Sequence, residues 1–258
     1  MRGGITITTT ITTMMNRHPF RSCSPTTMTA APEPVPDGAP LWRLMLWCSP
    51  AFPVGSFSHS HGLEWSIEAG DISDAASLSL WVDDLLSAGA GWTDSVFLAH
   101  AHRAGSAGDA AALAALAERA SAFSASHERQ VEQLAQGAAF ARALGAGWPA
   151  LAAVLPRSER LPYAVAVGAA CGAAGIPLRA ALTGHLQAFA GMVVSAAVRL
   201  VPLGQSDGLR VLAALEPRVH ALAAAAEAAP LDAVGGAAFR ADIAAMAHET
   251  QYTRLFRT

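Results

Sequence analysis

Between residues 78 and 86 the apolar side chains are Leu78, Trp81, Val82, Leu85 and Leu86. Offsets of three, four, seven and eight wind into one stripe on an α-helix and match no face of a strand. The same period returns along the chain. It is carried by Leu113, Leu116, Ala120 and Phe123, then by Val131, Leu134 and Ala138, then by Leu178, Leu182, His185, Phe189 and Val193. A further set is Leu212, Leu215, Val219, Leu222 and Ala226. Strand-like β-branched residues gather only in the Thr/Ile run before Thr13. The predicted fold is therefore all-α, a single-domain helical bundle of about eight to ten helices over residues 41–258. Residues 1–40 are expected to be a disordered N-terminal extension that ends in a Pro-rich linker, Pro32 to Gly38.

Punctuation sets the expected boundaries. Ser73 is a candidate cap for the stripe above, which Gly89 and Gly91 break. A second helix is expected over Thr93–Arg103, a third from Asp109 and a fourth from Ser126. Pro177 suits the first turn of what is expected to be the longest helix, as far as Leu200. A last helix is expected near Phe239. Leu161 to Leu178 has no charge and approaches a membrane-spanning length, but Pro162, Gly168, Gly172, Gly175 and Pro177 interrupt it. It is better read as a tightly packed core helix, with Gly168 and Gly172 letting another helix come close.

Composition excludes several functions. All 17 basic residues are Arg, so a Schiff-base Lys and a P-loop Lys are both ruled out. With a net charge of -3 and no basic stripe, a nucleic-acid partner has no footprint. Cys23, Cys48 and Cys171 lie far apart, which suggests neither a disulfide framework nor a zinc knuckle and fits a reducing compartment. Hydrophobic residues make up 52% and mean hydropathy is +0.32, so some apolar surface is expected to be hidden by a partner.

A search for chemistry gives little. His59/His61 and His100/His102 are spaced two apart, which on a helix points them to opposite sides, and no metal site is expected. His185 falls on an apolar face and is expected to be a hydrogen-bonded core histidine. Asp83 and Asp84 are expected to be solvated. No nucleophile signature occurs. The expectation is a protein without catalytic, cofactor or metal residues. Two segments stand out instead. Ser49 to Glu64 is an irregular loop, stiffened by Pro50, Pro53 and Gly55, that should display Phe52 and Phe57, with Ser58 or Ser60 capping the next helix. The C-terminus, His248-Glu249-Thr250-Gln251-Tyr252-Thr253-Arg254-Leu255-Phe256-Arg257-Thr258, is rich in interface residue types. If helical, it would gather Tyr252, Leu255 and Phe256 on one face.

These two segments, with Val194 to Gly208 between them, carry a resemblance. Ser49-Pro50…Pro53-Val54-Gly55-Ser56-Phe57-Ser58-His59-Ser60-His61-Gly62-Leu63-Glu64 resembles the N-terminal signature of the urease accessory protein F family, UreF. Val194 to Gly208 resembles its central motif and His248 to Arg257 its tail. The resemblance runs in order from about Leu44 to the end. It implies an all-α, cytoplasmic homodimer that acts in nickel insertion into urease without a cofactor of its own. The implied partners are UreD (also called UreH), the GTPase UreG and the apo-urease subunits, with no membrane or nucleic acid. The implied partner-binding residues are Phe57, Ser58, His248, Glu249, Gln251, Tyr252, Arg254, Leu255, Phe256 and Arg257, residues 246–258 forming a binding tail. Two alternatives remain. One is a GTPase-activating role in which Arg129 or Arg179 is supplied in trans. The other is a direct nickel carrier using His59, His61, His100 or His102. The family's Arg-Glu-Thr is replaced here by His127-Glu128-Arg129, so Glu128 alone is kept.

Overall fold

α8, Tyr163–Ala173, lies at the centre of the bundle because its sequence is apolar on every side; all nine residues from Ala164 to Gly172 are buried. The computed structural model describes residues 38–258 other than Glu159. The expectation for residues 1–40 thus lies outside the described residues except at its end, where α1, Ala39–Trp47, opens with Pro40 in its first turn. In chain order there follow a short 3-10 turn at Ser56–Ser58, α2 (Leu63–Glu68), α3 (Ala75–Ala88), α4 (Ala90–Ala107), α5 (Ala110–Ala122), α6 (His127–Gly147), α7 (Pro149–Ala152) and α8. α9 (Leu178–Leu200), α10 (Gln205–Ala228), a second 3-10 turn at Leu231–Ala233 and α11 (Phe239–His248) complete the bundle. The described residues contain no strand, as expected.

α4 packs on α8 more closely than side chains normally allow. A Cβ on Gly168 would stand 2.5 Å from the Leu98 carbonyl oxygen, and one on Gly172 would overlap the carbonyl of His102. Gly105 answers from α4, where a Cβ would come within 2.7 Å of the Ala169 Cα. The small residues expected to admit a neighbouring helix do so at both positions. Among the described residues one helix, α9, is long and apolar enough to cross a membrane, and half of its apolar window is buried inside the bundle.

Several boundaries differ from expectation for local reasons. Asp74, not Ser73, caps α3, because its carboxylate accepts from the Ser77 amide at 2.8 Å. Gly91 does not break a helix; it lies inside α4, where a Cβ would be 2.7 Å from the Leu86 Cα. Asp109 and Ser126 cap α5 and α6 as expected. α10, at 24 residues, exceeds α9 by one. Gly62, with φ 73°, rather than Ser58 or Ser60, heads α2. Phe52 is not displayed; it is buried with its ring 5.3 Å from that of Phe140.

The α4–α8 contact gives a direct test. Gly172→Ala should destabilise the protein by about 1–3 kcal/mol, since backbone rather than a flexible side chain must move. Urea unfolding of the variant checks this, and Gly147→Ala, at an exposed position with open space around it, serves as the comparison.

Candidate functional site

The three segments singled out in the sequence come together at one corner of the bundle. α11 stops at His248, and the tail beyond it is not helical. It runs back along the loop before α2: the Arg257 amide donates to the Ser58 carbonyl at 2.8 Å, and the Ser60 amide donates to the Thr258 carbonyl. Arg199, from the central segment, donates to the Phe57 carbonyl at 3.0 Å, and its guanidinium lies 4.5 Å from the centre of the Phe256 ring. One arginine thus ties the loop to the tail.

The tail is anchored on buried carboxylates. Glu64 of α2 accepts the amides of Leu255 (2.7 Å) and Phe256 (3.0 Å). His248 is fully buried between Glu64 (Nε2, 3.1 Å) and Glu128 (Nδ1, 2.7 Å), and Arg254 reaches Glu128 at 2.8 Å. Burial raises the Glu128 carboxyl above its ordinary value, against the pull of His248 and Arg254. Four residues further along α6, Glu132 takes Arg129 and His61 (2.9 Å), and the Thr258 hydroxyl lies 2.6 Å from His59 Nδ1. Burial alone would raise the Glu132 carboxyl, but Arg129 and His61 outweigh it and hold the group far below the usual carboxylate range. Asp94, 3.7 Å from Arg129, is pushed up to about 6 by burial despite that arginine.

The residues of the expected interface fall into a buried and an exposed group. Phe256 is only 5% exposed and His248 not at all, because both are needed inside the chain's own fold. Glu249 accepts the His127 amide at 3.1 Å, Gln251 donates to Glu68, and the Ser58 hydroxyl donates to the Gly55 carbonyl at 2.8 Å. By contrast Phe57 is 71% exposed, Leu255 76%, and Tyr252 completely so. Arg257 also faces outward, since side chains alternate along an extended tail: Leu255 and Arg257 out, Phe256 and Thr258 in. The nonhelical backbone therefore does not place Tyr252, Leu255 and Phe256 on one face.

The other candidates are dispersed. His100 and His102 point apart, to the carbonyls of Ala229 (3.1 Å) and Ile176 (2.7 Å). Among the described residues no three potential ligands gather around a metal position. Arg129 is enclosed by Glu132 and Asp94 and is not presented to a partner, while Arg179 is on the surface, paired with Glu227. Asp83 pairs with Arg218 at 2.7 Å. His185 is buried as expected, but its Nε2 has no partner among the described residues.

Two cavities, of about 330 and 350 Å³, share His61, Asp94, Arg129 and Gln133 in their walls. Sequence reasoning did not assign Glu64, Asp94, Glu132 or Arg199. The signal lay in α6, where Glu128, Glu132, Gln136, Phe140 and Leu144 follow one another at spacings of four and are all buried.

The chain is thus an all-α bundle whose three distinctive segments meet at a self-docked tail, with aromatic and aliphatic side chains left outside. The UreF family model matches residues 72–216. The urease accessory protein UreF of Rhodopseudomonas palustris (strain BisB5) is 52% identical over 240 residues, which is 92% of this chain and 99% of that protein. UreF of Bradyrhizobium sp. (strain BTAi1) is 51% identical over 224 residues, 86% of this chain and 93% of that protein. UreF of Methylobacterium sp. (strain 4-46) is 51% identical over 219 residues, 83% of this chain and 87% of that protein. The chain belongs to the UreF family of urease accessory proteins.

His185 sets a pH dependence with one cause. Burial drives it down to about 4 from an ordinary 6.5. Below pH 6.5 the unfolded chain binds a proton that the folded one refuses until about pH 4, so this group withdraws stability as pH falls through that window. His185→Leu removes the effect. The variant should gain about 2 kcal/mol on the unsubstituted protein between about pH 7.5 and about pH 5, measured by urea unfolding.

Proposed function

We propose that this protein is a non-catalytic adaptor in urease maturation. It binds UreD/UreH, recruits the GTPase UreG, and lets the assembly insert nickel into apo-urease, working as a cytoplasmic homodimer without a cofactor of its own. Membership of the UreF family supports the pathway. The observation that carries the adaptor reading is local: a tail fixed by buried charges holds Tyr252 and Leu255 in solvent, and the loop to which its end is bonded exposes Phe57. Exposed aromatic and aliphatic side chains on a rigid support are what a partner can bury at low cost in ordering. Arg257, outside, supplies a charge-assisted donor for a partner's carboxylates or carbonyls.

Deleting the whole tail would mix two effects, since Phe256→Ala alone should cost about 3–5 kcal/mol of stability. The discriminating variant is Tyr252→Ala/Leu255→Ala, which leaves every buried contact of the tail in place. Its melting temperature should match that of the unsubstituted protein while co-purification with UreD/UreH falls by about tenfold or more. Undiminished co-purification of this folded double variant would overturn the reading.

A further inference from the structure

Between the end of α11 and the docked Leu255 the chain makes a short loop, residues 249–254, with Tyr252 completely exposed near its middle. Three of its side chains reach back to the body of the bundle. The Glu249 carboxylate accepts the His127 amide, at the start of α6, at 3.1 Å. The Gln251 side-chain amide donates to the Glu68 carboxylate, at the end of α2. Arg254 donates to Glu128 of α6 at 2.8 Å and to the His248 carbonyl at 3.5 Å, which closes the loop on the residue where it began. The loop therefore stands on legs to two helices, and the Tyr252 ring projects from it into solvent.

One of these legs does more than anchor. Gln251 Nε2 also donates to the Thr253 carbonyl at 3.2 Å, so the side chain spans Tyr252. A side-chain amide nitrogen carries two hydrogens, and here one goes to Glu68 and the other to Thr253. Both partners only accept, so the nitrogen alone fits this position, and a Glu in place of Gln251 would set an acceptor against two acceptors. The Gln251 backbone N–H is used as well, on the His248 carbonyl at 3.1 Å. Tyr252 is thus bracketed: the residue before it is bonded through backbone and side chain, and the residue after it through its carbonyl. Bonds this exposed add little to global stability. Their effect is local, since they narrow the backbone conformations from which an otherwise free tyrosine would have to be collected on binding.

We propose that Gln251 is a positioning residue for docking: it does not touch the partner, but holds the backbone on both sides of Tyr252 so that the ring is presented ready to be bound. The inference rests on the adaptor reading, in which Tyr252 is an anchor. It assigns Gln251 to the mount rather than to the contact surface, because both of its amide hydrogens are already committed within the chain. A tyrosine side chain has only two χ angles to immobilise, so the backbone beneath it decides how much freedom is left to lose.

A double-mutant cycle on the full chain, titrated against immobilised UreD/UreH, tests this. Gln251→Ala should leave the melting temperature unchanged and lower the NMR order parameter of the Tyr252 amide in the free protein. It should weaken binding about three- to tenfold, because apparent affinity falls with the fraction of the loop that is ordered. In a Tyr252→Ala background the same substitution should have no effect on binding. An equal loss in both backgrounds overturns the proposal, as Gln251 then acts on the partner directly. So does an unchanged order parameter, or full affinity in the protein that keeps Tyr252. Gln251→Glu, of the same size, should reproduce Gln251→Ala, and it decides alone if that variant does not fold. The two readings fail separately. Undiminished binding by Tyr252→Ala/Leu255→Ala removes the adaptor reading and this inference with it. Loss of binding by that variant, with none by Gln251→Ala, removes this inference alone.

Discussion

Three carboxylates, those of Glu64, Glu128 and Glu132, sit inside this bundle, and each is satisfied by a part of the chain far away in sequence. Glu64 takes the amides of Leu255 and Phe256. Glu128 takes His248 and Arg254, and Glu132 takes His61 and Arg129. A buried carboxylate without partners is costly, whereas a pair with full hydrogen bonding roughly breaks even against an apolar core. The arrangement therefore adds little net stability. What it adds is register, because the tail must follow a path that meets both Glu64 and Glu128.

That constraint explains features that otherwise look unrelated. Beyond His248 the amides of Glu249, Thr250 and Gln251 close tight turns on Met246, Ala247 and His248, and the tail then gives the amides of Leu255 and Phe256 to Glu64. His61 accepts a left-handed backbone because α2 must start where Glu64 can face the tail. Arg199 lies over Phe256 and holds the Phe57 carbonyl, so the central segment closes the corner from the third side. Three motifs scattered over two hundred residues prove to be the three walls of one corner.

The helices were legible because each has a local cause. Apolar spacing located α3, α5, α6, α9 and α10, and the caps Asp109 and Ser126 stood in the sequence. The Gly168 and Gly172 spacing foretold the close approach of α4. The buried charges were not legible, because charged residues are ordinarily on the surface and nothing local marks an exception. Even so, the five buried positions of α6 at spacings of four mix Glu128, Glu132 and Gln136 with Phe140 and Leu144. A stripe half polar and half apolar signals a core face entering a polar region. Whether the tail is helical was not legible, because the acceptors of its Leu255 and Phe256 amides lie on Glu64, far away in the sequence. Phe52 was misplaced for the same kind of reason, since Phe140, almost ninety residues away, decides where it goes.

The tail is thus two-sided. Its inner side, His248, Phe256 and Thr258, belongs to the bundle, and its outer side, Tyr252, Leu255 and Arg257, does not. A partner that pulled Phe256 out would strip Glu64 of two amide donors and Phe256 of its cation–π contact. Breaking one buried charged contact commonly costs about 3–5 kcal/mol, and extraction would break several at once. A partner that covers only the outer side meets no such barrier and finds the backbone already ordered. Recognition by this family member is therefore expected to read the tail as a docked edge rather than as a free peptide, and the buried carboxylates are what make it one.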